Sequence, residues 1–446
     1  MTDTQITATG TRKSYRTGVL LLLTLVYGFN FIDRQIVGIL APFIQADLNL
    51  SNTQLGLLIG LAFAAFYTIM GIPLAFIADR VNRVNLLAIA LAVWSGFTAL
   101  TGLSQNFLHI ALARIGVGVG EAGGSPPSHS MISDFYSKEE RAGALGVYSL
   151  GIPLGIMAAY FFTAALMGAD PNTVNWRRIF IILGLSGIAL AVVVRLVIRE
   201  PRRGAMELGD EVVLPKIPFG EAVSRLLSIP TWWFMALGIA FASFAAYALS
   251  GFQTKYLRLL NPSYDFRTIV IIIGIINGVF YVAGTYFGAK LVDRRARTDV
   301  RAYGTIPVLS LVLALPLAVA AFAVPDVNTH LALSALLQLC IGVYLGPSFA
   351  IAQTLAPISI RAMSTALFFF ILNMIALGGG PTFAGIMIDV FGNAGNTELV
   401  ATRYAMFATF ASFGLAILFF LLVRVTVRKD WAEAEARNLQ AATGGG

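Results

Sequence analysis

The sequence predicts an all-α membrane protein with twelve transmembrane helices in two pseudo-symmetric six-helix bundles. Hydrophobic residues make up 57% of the 446-residue chain and charged residues only 12%, and the mean hydropathy is +0.78. Soluble domains contain about 25% charged residues, so this composition excludes a water-soluble fold. Twelve apolar runs are each long enough to cross a bilayer core of about 30 Å. The 43 glycines suit closely packed membrane helices.

The apolar runs divide the chain into two halves of six. The predicted spans are 17–41, 52–78, 85–104, 107–133, 141–168, 177–198, 230–257, 268–292, 302–323, 329–357, 362–388 and 401–425. The first run exceeds 20 residues and lacks a convincing cleavage site, which predicts a retained span rather than a signal peptide. We therefore predict an N-terminal segment at 1–16, bundles at 17–198 and 230–425, a polar linker at 199–229 and a tail at 426–446.

The distribution of basic residues predicts the topology. An even number of spans places both termini on one side of the membrane. If that side is cytoplasmic, 23 of the 31 lysines and arginines lie in cytoplasmic segments and six in outer ones. The positive-inside rule therefore predicts cytoplasmic termini. The net charge of +8 is spread over the ends of the spans and forms no single patch, so we expect no nucleic-acid partner.

The fourth span carries two charges inside the membrane, Arg114 and Glu121, in the run ALARIGVGVGEAGGSPPSHS. Seven residues at about 100° each return to within roughly 20° of the start, so both charges lie on one helical face. A charge in the membrane costs at least about 2.5–3.5 kcal/mol unless it meets a partner or water. This cost favours a functional role. The alternative is a static ion pair that only joins helices.

Two more charges, Asp33 and Arg34, lie in the middle of the first span. As sequence neighbours they point about 100° apart and should have different roles. We hypothesise that Asp33 faces the fourth span and exchanges partners with Arg114, while Glu121 completes a proton-coupling cluster. An arginine that moves relative to a buried carboxylate changes its proton affinity, which can couple a pH gradient to a conformational change. The alternative is a static salt bridge between helices.

A short charged motif occurs once in each half, as ADRVNR at 78–83 and VDRRAR at 292–297. Asp79 and Asp293 are 214 residues apart and occupy the same place after the second and eighth spans. Acidic and basic residues at a helix end can hold one state of a two-state protein. The motif predicts a conformational latch, formed by Asp79, Arg80, Arg83, Asp293 and Arg294. Plain positive-inside charge is the alternative.

These motifs resemble the major facilitator superfamily of secondary transporters. The family's loop motif, Gly-x3-Asp-Arg-x-Gly-Arg-Arg/Lys, is matched at Asp79, Arg80 and Arg83, whereas Ala75, Asn82 and Val84 depart from it. The helix-four signature Arg-x3-Gly-x-Gly is matched at Arg114, Gly118 and Gly120. The resemblance implies transport by alternating access and a monomeric protein.

Two stretches resemble the spinster family and its bacterial relatives: FNFIDRQIVGIL in the first span and GVGEAGGSPPSHSMISDFYSKEERAGALGVYSLGIPLG across the fourth and fifth. Eukaryotic members export sphingosine-1-phosphate or lysophospholipids. The resemblance therefore implies a proton-coupled transporter of an amphiphilic lipid. The alternative is a proton-coupled drug exporter or organic-anion transporter of the same fold. The compact chain favours a bacterial inner membrane.

An amphiphilic substrate needs a cavity with a polar end and an apolar end. The candidate substrate-binding residues are Arg34, Tyr148, Ser149, Tyr247, Asn277, Tyr281, Gln353 and Asn373. The sequence has no nucleophile–base arrangement, no P-loop and no metal-ligand spacing among its histidines and single cysteine. We therefore predict no enzymatic activity, no metal and no cofactor.

Overall fold

The computed structural model describes residues 13–78, 80–168, 170, 174–203, 218–357 and 360–442. Within these residues, eleven helices are long and apolar enough to cross a membrane. The remaining predicted span, the fourth, consists of two shorter helices, Phe107–Glu121 and Ser125–Phe135. The predicted all-α membrane fold is therefore confirmed.

The helices follow the predicted order. In the first half they are Lys13–Ile39, Ala41–Leu48, Asn52–Ile59, Leu61–Ala78, Arg83–Thr101, Phe107–Glu121, Ser125–Phe135, Lys138–Ser149, Gly151–Leu166 and Trp176–Val197. In the second half they are Phe219–Leu227, Pro230–Leu260, Phe266–Ile275, Val282–Ala296, Ala302–Ala323, Val327–Gly342, Leu345–Thr354, Arg361–Leu372, Gly380–Asn393, Glu398–Phe410 and Ser412–Ala442.

The interruption of the fourth span follows from its sequence. Glycines surround the break at 122–124, and Pro126 and Pro127 lie in the first turn of the next helix. Proline is tolerated there because the first backbone N–H groups of a helix have no partner within the helix. The charged helix Phe107–Glu121 therefore ends at Glu121 itself.

Glycines bring this helix close to its neighbours. A Cβ atom at Gly118 would lie 2.7 Å from the carbonyl oxygen of Phe63, and one at Gly120 would lie 2.7 Å from the backbone nitrogen of Trp94. These separations are too short for a side chain. Glycine at these two positions allows the backbones to approach and so holds Arg114 and Glu121 against the second and third spans.

The described chain divides into two compact units. One comprises described residues within Met1–Leu50, Ala62–Val212 and Asp265–Gly274, and the other those within Ser51–Leu61, Val213–Tyr264 and Ile275–Gly446. The beginning of the second span therefore packs with the second unit, and the beginning of the eighth span packs with the first. Each unit contains one group of candidate functional residues.

Two helices of the second unit contain π-helical segments, Ile276–Tyr281 and Asn373–Gly379. A π turn inserts an extra residue into a helix and redirects the side chains around it. Such segments occur frequently at functional sites. The sequence pattern gave no sign of them.

Candidate functional site

The first unit contains a buried group of four charges, Asp33, Arg34, Arg114 and Glu121, which we call the charge cluster. Its shortest ion pair joins Arg34 Nε to Glu121 Oε2 at 2.8 Å. The side chain of Glu121 is fully buried and that of Arg34 is 12% exposed. The sequence predicts Arg34 as a substrate-binding residue; in the structure it directly contacts the carboxylate of Glu121, a predicted proton-coupling residue.

Asp33 has a different partner. Its Oδ1 accepts a hydrogen bond of 2.6 Å from the hydroxyl of Thr98, and the residue is 2% exposed. Arg114 Nη1 lies 3.5 Å from the backbone carbonyl oxygen of Asp33. Asp33 therefore lies beside the arginine that the sequence assigned to it, while its carboxylate is bound by a neutral hydroxyl.

Aromatic rings surround both arginines. The guanidinium carbon of Arg34 lies 4.4 Å from the ring centre of Tyr67 and 5.1 Å from that of Phe63. The guanidinium carbon of Arg114 lies 5.0 Å from the same Phe63 ring. Cation–π contacts stabilise a cation where water is excluded. Phe63 thus contacts both arginines, so a movement of either one alters the surroundings of the other.

Two acceptor atoms beside the ion pair lack a donor. Glu121 Oε1 and Asn30 Oδ1 are buried and have no hydrogen-bond partner among the residues that the structure describes. Asn30 is close enough to Glu121 to interact with it. An unsatisfied buried acceptor costs about 1–3 kcal/mol.

The remaining candidates in the first unit are Tyr148 and Ser149. Tyr148 is buried, and its ring stacks on Tyr27 at a centroid distance of 4.5 Å. Its edge contact with His129 is 5.1 Å. Ser149 is exposed and donates its hydroxyl hydrogen bond to the Leu145 carbonyl of its own helix.

In the second unit, three of the candidates lie on the two π-helical segments. Asn277 and Tyr281 belong to the first segment, and Asn373 begins the second. Asn277 Oδ1 accepts a hydrogen bond of 3.1 Å from Gln338 Nε2. Tyr247, Tyr281 and Tyr344 lie in one neighbourhood of this unit. Gln353 is exposed.

The predicted latch residues lie in three different surroundings. Arg83 is 1% exposed, and its ion pairs join it to Asp134 and Glu200. Arg80 is exposed and stacks on Phe76. Asp293 and Arg294 are exposed, and Asp79 lies outside the described residues.

A second polar group, which the sequence did not predict, lies in the second unit. Asp389 accepts hydrogen bonds from the backbone N–H groups of Asn52 at 3.1 Å and Thr53 at 2.7 Å. Nearby, Lys255 Nζ pairs with Glu398 Oε1 at 2.6 Å and also donates to Asn52 Oδ1. Lys255 and Asp389 lie within helices that span the membrane by length and composition. Their positions in the sequence could have predicted this group, because a charge within an apolar helix needs a partner.

The charge cluster contains no arrangement for binding a metal. Among the described residues no three His, Cys, Asp or Glu side chains come together in a way that could hold a metal ion. The chemistry available to the cluster is the exchange of hydrogen bonds and protons between carboxylates, arginines and hydroxyl groups.

The chain matches the model of the Major Facilitator Superfamily over residues 23–379. It is 32% identical over 373 residues to an MFS-type efflux pump of Mycolicibacterium smegmatis, which covers 82% of this chain and 83% of the pump. It is 26% identical over 292 residues to a hexuronate transporter of Bacillus subtilis, which covers 63% of this chain and 66% of that transporter.

Among solved structures, the chain is similar to a bacterial homologue of the human lysosomal transporter Spinster, crystallised in an inward-facing, unoccupied conformation. The TM-score is 0.85 and the sequence identity 30%, with 94% of this chain and 99% of the homologue covered. The similarity to spinster proteins that the first and fourth spans predicted is confirmed over nearly the whole chain.

Proposed function

Since this chain belongs to the major facilitator superfamily, we propose that it is a proton-coupled secondary active transporter that works by alternating access and carries an amphiphilic lipid. A lysophospholipid or a sphingosine-1-phosphate-like molecule is the substrate class. The family and the fold are those of membrane transport proteins rather than enzymes. The observation that carries the proposal is the burial of two carboxylates and two arginines together in the charge cluster.

The arrangement of the cluster supports proton coupling in a specific way. Glu121 is paired with Arg34 at 2.8 Å, whereas the Asp33 carboxylate accepts a hydrogen bond from Thr98 and Arg114 lies beside the Asp33 backbone carbonyl. A movement of Arg114 towards the Asp33 carboxylate would change the proton affinity of that group. Arginine suits this role because it remains charged and can bind a carboxylate with two nitrogen atoms. We propose that Asp33, Arg114 and Glu121 couple proton movement to transport, with Arg34 holding Glu121.

The lipid substrate is supported by the likeness to the spinster homologue and by the polar residues on the π-helical segments of the second unit. Asn277, Tyr281 and Asn373 can contact the polar end of a substrate, together with Tyr247 and the Tyr148–Ser149 pair. Gln353 belongs to the same proposed set. We also propose that the protein is a monomer in a bacterial plasma membrane with both termini cytoplasmic, which the basic-residue distribution supports.

Internal pH measured in liposomes that contain the purified protein tests the proposal. A lysophospholipid gradient is imposed on wild type, Asp33→Asn, Glu121→Gln and the matched control Glu221→Gln, which removes an exposed carboxylate outside the cluster. We expect lipid-dependent proton flux in wild type and in the control and none in either cluster variant. Lipid movement without proton flux in wild type would contradict coupling and indicate a facilitator.

A hexuronate gradient in the same liposomes tests the second candidate function, an organic-anion transporter. The similarity to the hexuronate transporter of Bacillus subtilis favours it. Proton flux driven by hexuronate but not by lysophospholipid would replace the lipid substrate with a sugar acid and leave the role of the charge cluster intact.

A further inference from the structure

The second unit contains a cavity of about 430 Å³ at the ends of three helices. Arg295 lies in the last turn of Val282–Ala296, Arg301 precedes Ala302–Ala323, and Arg424 lies on Ser412–Ala442. All three line the cavity, which we call the arginine cavity. It belongs entirely to one unit and includes none of the candidate substrate-binding residues.

Close packing of two helices produces this concentration of arginines. At Gly304 a Cβ atom would lie 2.6 Å from the carbonyl oxygen of Phe420 and 2.7 Å from the backbone nitrogen of Arg424. Glycine allows the two backbones to approach, as small residues do between membrane helices. The approach brings Arg424 to the wall that also carries Arg301, despite the repulsion between like charges.

The positive charge of the arginine cavity has little compensation. Its single acidic residue, Asp299, is already paired with Arg428 at 3.2 Å and accepts the backbone N–H of Arg301 at 3.0 Å. No ion pair involves Arg295, Arg301 or Arg424 within the described part of the chain. Arg301 Nε is buried and has no hydrogen-bond acceptor there. The cavity therefore has a surplus of positive charge.

This charge is constant over the physiological pH range. The backbone N–H of Arg301 and the positive charge of Arg428 hold the pKa of Asp299 below its usual value. The carboxylate stays ionised at neutral pH, and arginine stays protonated. The surplus of positive charge thus does not depend on a titrating group.

Apolar residues also line the cavity and continue along an exposed face of the spanning helix Ala302–Ala323. Leu291 and Leu309 line the cavity and are 48% and 57% exposed. Val312 and Leu313, three and four residues after Leu309, lie on the same helical face and are 50% and 60% exposed. An exposed apolar face on a spanning helix contacts acyl chains. The site therefore has a cationic end followed by a surface suited to hydrocarbon.

We propose that the arginine cavity binds the phosphate-bearing headgroup of an anionic phospholipid whose acyl chains lie along the Leu309–Leu313 face. Arginine binds phosphate oxygens with paired N–H donors, and basic pockets at the ends of membrane helices bind anionic headgroups. The bound lipid belongs to the surrounding membrane. It is not the transported substrate, since the site lies outside the proposed transport residues.

The test counts phosphatidylglycerol bound to the purified protein by native mass spectrometry, after reconstitution in phosphatidylcholine mixed with phosphatidylglycerol. We expect one strongly retained phosphatidylglycerol in wild type. Each substitution Arg295→Gln, Arg301→Gln or Arg424→Gln should weaken its retention about fivefold. Arg195→Gln is the matched control, because Arg195 is also an exposed arginine in the last turn of a spanning helix. It should retain the lipid as wild type does.

A second variant separates a specific site from diffuse attraction. Thr305→Trp fills the cavity with an indole ring and keeps all three arginines. We expect loss of the retained lipid in a protein that remains monodisperse on gel filtration. Equal lipid retention in Thr305→Trp and wild type would overturn the proposal, as would an equal loss in Arg195→Gln. Displacement of phosphatidylglycerol by soluble glycerol phosphate at similar concentration would show that the site binds a free phosphate ester instead of a lipid.

Discussion

The two loops that carry the repeated Asp-Arg motif differ in how their arginines are neutralised. In the first unit, Arg83 is buried and bonded to Asp134, Glu200, the hydroxyl of Ser130 and the carbonyl oxygen of Pro201. All of these partners belong to the first unit. The loop of the first unit is therefore joined to its own bundle by one cation.

The corresponding part of the second unit has no such centre. Arg297, four residues after Asp293 as Arg83 is after Asp79, is exposed, and three neighbouring arginines line the arginine cavity. The same motif thus provides the centre of an ion-pair network in one half, whereas in the other half it provides the exposed Arg297 and one arginine of the cavity, Arg295. The motif therefore places positive charge at both loops. Whether that charge stabilises the protein or is available to bind a partner depends on the acidic residues around it.

Removing the central arginine should produce the largest effect. Arg83→Ala leaves Asp134 and Glu200 without their cation, and breaking a buried ion pair costs about 3–5 kcal/mol. We expect a loss of this size in the free energy of unfolding. Denaturant titration in mixed micelles, followed by tryptophan fluorescence, measures it.

Arg297→Ala is the matched control for Arg83→Ala, because it removes an arginine from the same place in the other half. An exposed residue of this kind should change stability by no more than about 0.5 kcal/mol. Equal losses in the two variants would show that the two loops are equivalent and would refute the distinction between them.

An acid added to the arginine cavity should make the second loop more like the first. Thr298→Glu places a carboxylate on the cavity wall, where it can pair with the neighbouring arginines. We expect about fivefold weaker retention of phosphatidylglycerol.

The free energy of unfolding of Thr298→Glu should change by no more than about 1 kcal/mol, since exposed ion pairs contribute little. Thr298→Gln, with the same shape and no charge, should bind lipid as wild type does. Unchanged retention in Thr298→Glu would refute a charge-based site.

The helical period made part of the charge cluster predictable. Arg114 and Glu121 share one face because they are seven residues apart, and the separation of Asp33 from Arg34 follows from their adjacency. The sequence could not show that Glu121 pairs with Arg34, because that choice depends on where the first and fourth spans meet. Nor did it identify Thr98, since a threonine in an apolar helix most often bonds its own backbone, and Thr98 Oγ1 also lies 3.0 Å from the Trp94 carbonyl oxygen of its own helix.

Other features had no signal in the sequence. The π-helical segments at Ile276–Tyr281 and Asn373–Gly379 depend on tertiary packing, which a hydrophobic period does not record. The arginine cavity depends on the approach of Gly304 to Arg424, which are 120 residues apart. By contrast, the sequence shows that Asp389 and Lys255 lie in apolar helices. Because a charge there is costly without a partner, their positions indicate that each needs one.

The smallest effect should come from a second pair of comparable contacts, Arg16–Glu140 in the first unit and Arg428–Asp299 in the second. Arg16 donates two hydrogen bonds to Glu140, at 2.6 and 2.7 Å, and these hold the pKa of Glu140 below its usual value. Because the pKa is lowered on folding, the stabilisation is present at neutral pH and is lost as the pH falls through the folded-state pKa, below the ordinary value of about 4.3. Glu140→Gln should lower the free energy of unfolding at neutral pH by less than about 1 kcal/mol. In acid the stability of the variant should equal that of wild type, as thermal unfolding over a pH series would show.

Asp299→Asn, which removes the longer contacts of 3.2 and 3.3 Å to Arg428, should have a smaller effect. A gap between wild type and Glu140→Gln that persisted in acid would mean that the carboxylate acts through packing and not through its charge.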